Sequence, residues 1–148
     1  ETAGKFLGGD TEFTKYQTSF SRFFKAGRNN QTWAFRTIAG IGQGTLPLSE
    51  EFRVGGSETV RGYRFGEFRG DRMFVVQAEY RIPINQTIQG VIFVDAGNAW
   101  QGTGIDLGDL KAGYGIGIRF NTPLGVMRID YGIGENGGNA YFSLGPTF

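Results

Sequence analysis

Residues 111–120 read Lys-Ala-Gly-Tyr-Gly-Ile-Gly-Ile-Arg-Phe, so that glycine alternates with bulky apolar residues over the length of a strand. Side chains of a β-strand point alternately to opposite faces, so one face carries Tyr114, Ile116 and Ile118 and the other is nearly bare. In a soluble barrel the bare face would meet solvent, where its glycines would weaken the strand and pack against nothing. The segment therefore favours a transmembrane barrel, with the apolar face toward lipid and the glycines toward a lumen.

The same two-residue period recurs in six other segments, each close to the 9–11 residues that a tilted strand needs to cross a bilayer. These segments are residues 12–25, 33–42, 74–82, 88–96, 127–134 and 139–148. On their apolar faces, Phe35 and Ile92 are predicted to meet lipid, as is Ile118. On the opposite faces, Glu79 and Asp95 are predicted to point into the barrel.

The connections between these segments alternate between short and long. The short connections are residues 27–30, 83–86 and 121–124. The connections at the opposite ends of the predicted strands are residues 45–70, 101–110 and the compact 135–138. Outer-membrane barrels have short periplasmic turns and longer extracellular loops, so the order indicates an antiparallel meander whose C-terminus is periplasmic. Residues 1–7, followed by a turn at 8–10, supply an eighth strand. We therefore predict an all-β transmembrane barrel of about eight strands in a single domain, residues 1–148, with a long extracellular loop at about 45–70.

Composition argues against several other classes of protein. The chain has 26 glycines among 148 residues, far above the average of about 7%, which favours strands and turns over helices. It contains neither histidine nor cysteine, so a Ser-His-Asp triad and the usual zinc sites are excluded, and we expect no enzyme, no metal and no cofactor. The net charge is only +1 and the basic residues are scattered, which argues against nucleic acid as a partner.

The long loop and the strands after it contain the most specific motifs. The stretches are Phe52-Arg-Val-Gly-Gly56, Val60-Arg61-Gly62-Tyr63-Arg64-Phe65, Ala78-Glu-Tyr-Arg-Ile-Pro83, Val94-Asp-Ala-Gly-Asn-Ala-Trp100, Gly113-Tyr-Gly-Ile-Gly117 and a Gly-x-x-aromatic ending from Gly145 to Phe148. In these stretches, which span nearly the whole chain, the sequence resembles the Omp85 superfamily. That family contains the bacterial barrel-assembly protein, its chloroplast and mitochondrial relatives, and two-partner secretion transporters.

The resemblance implies a sixteen-stranded barrel preceded by POTRA domains, of which this sequence looks like the C-terminal half. The chain is then either half of such a barrel or a short version of it. Whether POTRA domains and earlier strands exist in the full gene product, and whether the protein is a homo-oligomer, stays open.

The resemblance also implies that the loop motif folds back into the barrel and that its arginine pairs with acidic residues of the inner wall. At the matching positions stand Arg61, Glu79 and Asp95. Both carboxylates fall on the polar face, on consecutive strands, so that they can converge on a planar guanidinium. Glycines would let the loop bend and would leave room for it along the wall; those of the loop are Gly55, Gly56 and Gly62. The alternative is a disordered external loop above ordinary lumen charges.

The leading hypothesis is an outer-membrane component, in a bacterium or an organelle, that assists insertion of outer-membrane proteins or moves polypeptides across the membrane. Its partners would be the lipid bilayer and unfolded client proteins. The resemblance implies an imperfect seam between the first and last strands, whose unpaired backbone groups template an incoming strand. The last strand resembles the β-signal by which such barrels are recognised, at Phe142, Leu144, Gly145 and Phe148.

Other functions are compatible with parts of the sequence. A small structural barrel without insertase activity, alone or as an oligomer, would serve as a membrane anchor, and its last strand would then be a plain lipid-facing strand. A soluble lipocalin-like binding module would show the same alternation, although the glycine-rich faces oppose it. An enzyme that uses carboxylate pairs is the remotest of the alternatives.

Overall fold

The computed structural model describes residues 2–3, 13–27, 29–102 and 104–145. Its strands are β1 Thr2–Ala3, β2 Phe13–Ala26, β3 Gln31–Gly44, β4 Phe52–Val54, β5 Phe68–Gly70, β6 Arg72–Pro83, β7 Ile88–Trp100, β8 Lys111–Thr122, β9 Gly125–Gly134 and β10 Gly137–Gly145. Eight of them form one antiparallel sheet in the order β1-β2-β3-β6-β7-β8-β9-β10, and β4 pairs with β5 as a separate hairpin. The predicted all-β antiparallel meander is confirmed.

The seven long strands coincide with the seven predicted segments, with ends that differ by a few residues. The largest extension is at β7, which continues to Trp100 because its last residues still pair with β6, down to Arg72 opposite Trp100. Of the predicted eighth strand, Thr2 and Ala3 pair with β2, and the rest of that strand and its turn lie outside the described residues. Within the described part of the chain, β1 and β10 are the two edges of the sheet.

The two faces of the sheet differ as the alternation predicts. Phe35, Ile92 and Ile118 are exposed on the face away from the long loop, the convex face, whereas Glu79 and Asp95 are buried on the face that the loop contacts, the concave face. This is the expected orientation for a wall that turns its apolar side to lipid. No helix in the described part of the chain combines the length and the apolar character needed to cross a membrane.

Aromatic side chains cluster on the convex face beside the short turn after β2. Trp33 lies with its ring centre 4.7 Å from that of Tyr80 and 6.0 Å from that of Phe35. The guanidinium of Arg22 lies 5.1 Å from the centre of the Phe24 ring in the same region. Aromatic and basic side chains at one end of the strands are typical of a membrane interface.

The hydrophobic core lies between the concave face and the long loop at residues 45–71. The loop contributes Phe52, Val54, Val60 and Tyr63, and the wall contributes Ile38, Met73, Val75 and Ala99. This part of the wall therefore carries apolar side chains as well as small and ionic ones. Apolar wall residues are needed there because the docked loop buries its own apolar side chains against them.

Candidate functional site

Arg61 lies at the centre of a charge cluster between the loop and the concave wall, and its side chain is fully buried. Its Nε and Nη2 donate to the two carboxylate oxygens of Asp95 at 2.7 and 2.8 Å, and its backbone N–H donates to Oδ2 at 3.0 Å. Its Nη1 donates to Oε1 of Glu79 at 2.6 Å. The guanidinium lies over the ring of Phe93, 3.6 Å from its centre. Bidentate pairing and cation–π stacking together fix the arginine in one orientation.

A third carboxylate, Asp130 on β9, extends the cluster toward the end of the sheet. Its Oδ2 lies 3.5 Å from Nη1 of Arg61. Arg119 on β8 donates to Oδ1 of Asp130 at 2.5 Å and to Oε1 of Glu79 at 3.3 Å. The other oxygen of Glu79 accepts from Nε of Arg81 at 2.8 Å. Cations and carboxylates thus alternate across four strands, β6 to β9.

The chain just before the motif is held by two further wall residues. Arg128 on β9 donates to Oε1 of Glu58 at 3.1 Å and to the carbonyl oxygen of Ser57 at 3.4 Å. Gln77 on β6, also buried, donates to the carbonyl oxygen of Thr59 at 2.7 Å. These contacts fix the entry of the loop into the site, so that the motif reaches the carboxylates in one register.

The charge state of Arg61 determines what this cluster can do chemically. Desolvation on burial lowers the pKa of Arg61, but the hydrogen bonds and charge of Asp95 and the charges of Glu79 and Asp130 outweigh that effect and raise it above its usual value. Arg61 therefore remains a cation and does not exchange protons. A buried charge of this kind is tolerated because it is paired. The cluster is an electrostatic anchor for the loop, and acid–base chemistry is not what Arg61 supplies.

Glycines on the wall let the backbone of the motif approach closely. A Cβ on Gly113 would lie 1.8 Å from the carbonyl oxygen of Arg61, and a Cβ on Gly132 would lie 2.7 Å from the backbone nitrogen of Gly62. Gly62 itself has φ +105°, and a Cβ there would lie 2.6 Å from the backbone nitrogen of Gly134. The motif and the wall both have glycine where their backbones meet, because a side chain on either one would hold the two backbones apart.

On the side away from Asp95, the motif contacts the last described strand. The N–H of Gly62 donates to the hydroxyl oxygen of Tyr141 at 2.8 Å, and that hydroxyl donates to the carbonyl oxygen of Tyr63 at 2.6 Å. Nδ2 of Asn139 donates to the carbonyl oxygen of Gly62 at 2.8 Å. The three bonds join the loop to β10.

The six predicted motif residues divide into a docked part and an exposed part. Val60, Arg61, Gly62 and Tyr63 are buried, and the Tyr63 hydroxyl donates to the carbonyl oxygen of Ala112 at 3.0 Å. Arg64 and Phe65 are exposed, the latter by 77%. The first four residues of the motif therefore form the contact with the wall.

The structure does not bring the predicted C-terminal signal together with the charge cluster. Phe142 and Leu144 are exposed on the convex face of β10, opposite the side that Asn139 and Tyr141 present to the loop. Gly145 ends β10, and Phe148 lies outside the described residues. The side chains of Phe142 and Leu144 therefore face outward from the sheet.

Sequence reasoning missed Asp130, Arg119, Arg128 and Tyr141 as members of the site. The alternation places all four on the concave face, so the requirement that buried charges find partners was a usable signal for the three charged ones. Tyr141 has no such signal, because a tyrosine near a strand end also suits a membrane interface.

The sequence of the chain is similar to those of a known family of proteins. A family model described as the Omp85 superfamily domain matches residues 1–148. Chloroplastic outer envelope protein 80 of Arabidopsis thaliana is 35% identical over 113 residues, which cover 69% of this chain and 15% of that protein. Outer membrane protein assembly factor BamA of Nitratidesulfovibrio vulgaris is 30% identical over 176 aligned residues, which cover 100% of this chain and 22% of that protein. The chain thus spans a small part of the length of these relatives.

A solved structure shares the fold. The crystal structure of BamA from Haemophilus ducreyi lacking POTRA domains 1-3 superposes with a TM-score of 0.75 at 18% sequence identity. The match covers 93% of this chain and 35% of that one. The sheet described above therefore has the fold of one part of a larger barrel protein.

Proposed function

The chain belongs to the Omp85 superfamily, and we propose that it is the C-terminal barrel region of a protein that inserts other outer-membrane proteins or passes polypeptides across that membrane. The family and its relatives place it in the outer membrane of a bacterium or in the outer envelope of an organelle. The name of the BamA relative, an assembly factor for outer membrane proteins, favours insertion over translocation.

One observation supports the proposal above all: a loop anchored by buried ion pairs is bonded to a strand at the edge of the described sheet. Arg61 is paired with Asp95 and Glu79, and the motif is bonded to β10, an edge of the described sheet. An edge strand offers unpaired N–H and C=O groups, which are especially costly in a bilayer. A client strand that adds to this edge would satisfy them through main-chain hydrogen bonds.

Other parts of the chain have roles within this proposal. Phe142, Leu144, Gly145 and Phe148 act as the signal by which the barrel is recognised for its own assembly. The long loop enters from the extracellular side, and the lipid bilayer and unfolded clients are the partners. Neither a cofactor nor a catalytic group takes part, because strand addition forms hydrogen bonds and breaks no covalent bond.

Depletion of the full gene product in its native host tests this function. We expect folded outer-membrane barrels to fall, measured as the heat-modifiable fraction on gels, and exported polypeptides to accumulate if translocation is the activity. Re-expression of the wild-type gene restores both, and depletion of an unrelated barrel protein is the control. Normal barrel biogenesis together with normal secretion would overturn the proposal and leave the membrane anchor as the remaining function.

A further inference from the structure

The last described strand has two separate supports. β10 pairs with β9 in antiparallel register from Gly137 to Gly145, and no described strand pairs with its other edge. On the concave face, the side chains of Asn139 and Tyr141 reach the loop motif. Within the described residues, β10 is therefore held by backbone pairing with β9 and by side-chain contacts with the loop.

The side-chain contacts are made to the backbone of the motif. The Tyr141 hydroxyl accepts from the N–H of Gly62 and donates to the carbonyl oxygen of Tyr63, so one group satisfies two backbone partners. A phenylalanine at this position would leave both without a bond. Asn139 adds a bond to the carbonyl oxygen of Gly62. These bonds exist only while the loop is docked, because their partners move with it.

Consecutive amides of the motif point to opposite sides of the site. The N–H of Arg61 donates to Asp95 on β7, and the next N–H, that of Gly62, donates to Tyr141 on β10. Between these two strands the motif passes over β8 and β9, where a Cβ on Gly113 or Gly132 would collide with its backbone. The motif thus crosses the concave face and is hydrogen-bonded to β7 at one side and to β10 at the other.

We propose that Tyr141 and Asn139 form a latch that couples docking of the loop to the position of the last described strand, so that β10 is held in place while the loop is docked and can move when the loop is released. A role of this movement in accepting an incoming strand rests on the proposed function, whereas the coupling itself does not. Tyr141 and Asn139 are positioning residues: they act on the edge of β10 through the loop.

Hydrogen–deuterium exchange of the full-length protein in lipid vesicles tests the latch. Tyr141→Phe is expected to speed exchange in peptides from residues 137–145 by roughly tenfold, the factor for losing about one net hydrogen bond. Peptides from residues 72–83 should not change. Tyr114→Phe, which removes an exposed hydroxyl from the convex face of β8, is the matched control and should change neither peptide.

A double variant separates coupling from simple destabilisation. Arg61→Ala should also speed exchange in β10, and adding Tyr141→Phe should speed it no further, because the latch has already lost its partner. If Arg61→Ala does not fold, Arg61→Lys, which keeps the charge but loses the planar fork, replaces it. Unchanged exchange in β10 with Tyr141→Phe, or fully additive effects in the double variant, would overturn the latch. Normal barrel assembly after depletion would overturn the proposed function and leave the exchange result intact.

Discussion

β2 and β7 have the same two-residue alternation, but their concave faces differ in what covers them. On β7, Phe93 and Asp95 are buried beneath Arg61 of the long loop. On β2, residues 16–25 are exposed on both faces. No segment of the described part of the chain covers the side chains of Ser19 and Ser21. The same pattern therefore yields a packed interior in one strand and an open wall in another, depending on where a distant segment docks.

The difference predicts where substitutions on the concave face matter. A side chain beneath the loop loses partners or collides with backbone when it changes, whereas a side chain on the open wall exchanges one contact with solvent for another. Effects should therefore rank by contact with the loop and not by strand or residue type.

Arg61→Ala should have the largest effect on stability. It leaves Asp95 and Glu79 buried without their main partner, a loss of about 3–5 kcal/mol in the free energy of unfolding. Urea unfolding in lipid vesicles measures it, and limited proteolysis should show new cleavage within residues 45–70. Arg64→Ala, the exposed arginine of the same motif, is the control and should stay within about 0.5 kcal/mol of wild type. Equal stability of Arg61→Ala and wild type, with no new cleavage, would contradict the docked loop.

Gly113→Ala should have the next largest effect, because the added Cβ would lie 1.8 Å from the carbonyl oxygen of Arg61 and the backbone would have to shift. Overpacking of this kind costs about 1–3 kcal/mol. The matched control is Gly90→Ala on β7, where the nearest atom would be 3.7 Å away, an ordinary contact. The same unfolding measurement should separate the two variants. Equal effects would mean that strand propensity, and not the approach of the loop, explains the wall glycines.

The smallest effects compare the covered and open parts of the wall directly. Gln77→Ala removes the donor to the carbonyl oxygen of Thr59 and should cost about 1 kcal/mol. Ser19→Ala on β2 should change stability by less than about 0.5 kcal/mol. A loss at Ser19 as large as that at Gln77 would show that another segment or chain covers β2 in the native protein.

Much of the fold could be predicted because it depends on short-range periodicity. The seven long strands follow from which residues alternate, and the assignment of Glu79 and Asp95 to the concave face follows from parity alone. The hairpin of β4 and β5 was not predicted as strands, because each is three residues long and too short for a period to be recognised.

The candidate site was only partly predictable for a different reason. The pairing of Arg61 with Glu79 and Asp95 came from the resemblance together with parity, whereas Asp130 and Arg119 joined the cluster only once the strands were placed side by side. Their contact depends on register between β8 and β9, which sets Arg119 opposite Arg128 and Gly117 opposite Asp130. Periodicity within one strand says nothing of that register.

By itself, the sequence determined the strand order, which face of each strand is the continuous apolar one that points outward, and the absence of histidine and cysteine chemistry, since each depends on residue type and local spacing. Only the tertiary structure decided which parts of the concave face are covered, which four motif residues dock, and that β10 is bonded to the loop. The physical reason is that burial and charge pairing are properties of surfaces brought together from distant parts of the chain, and glycine permits that approach without indicating what will fill the space.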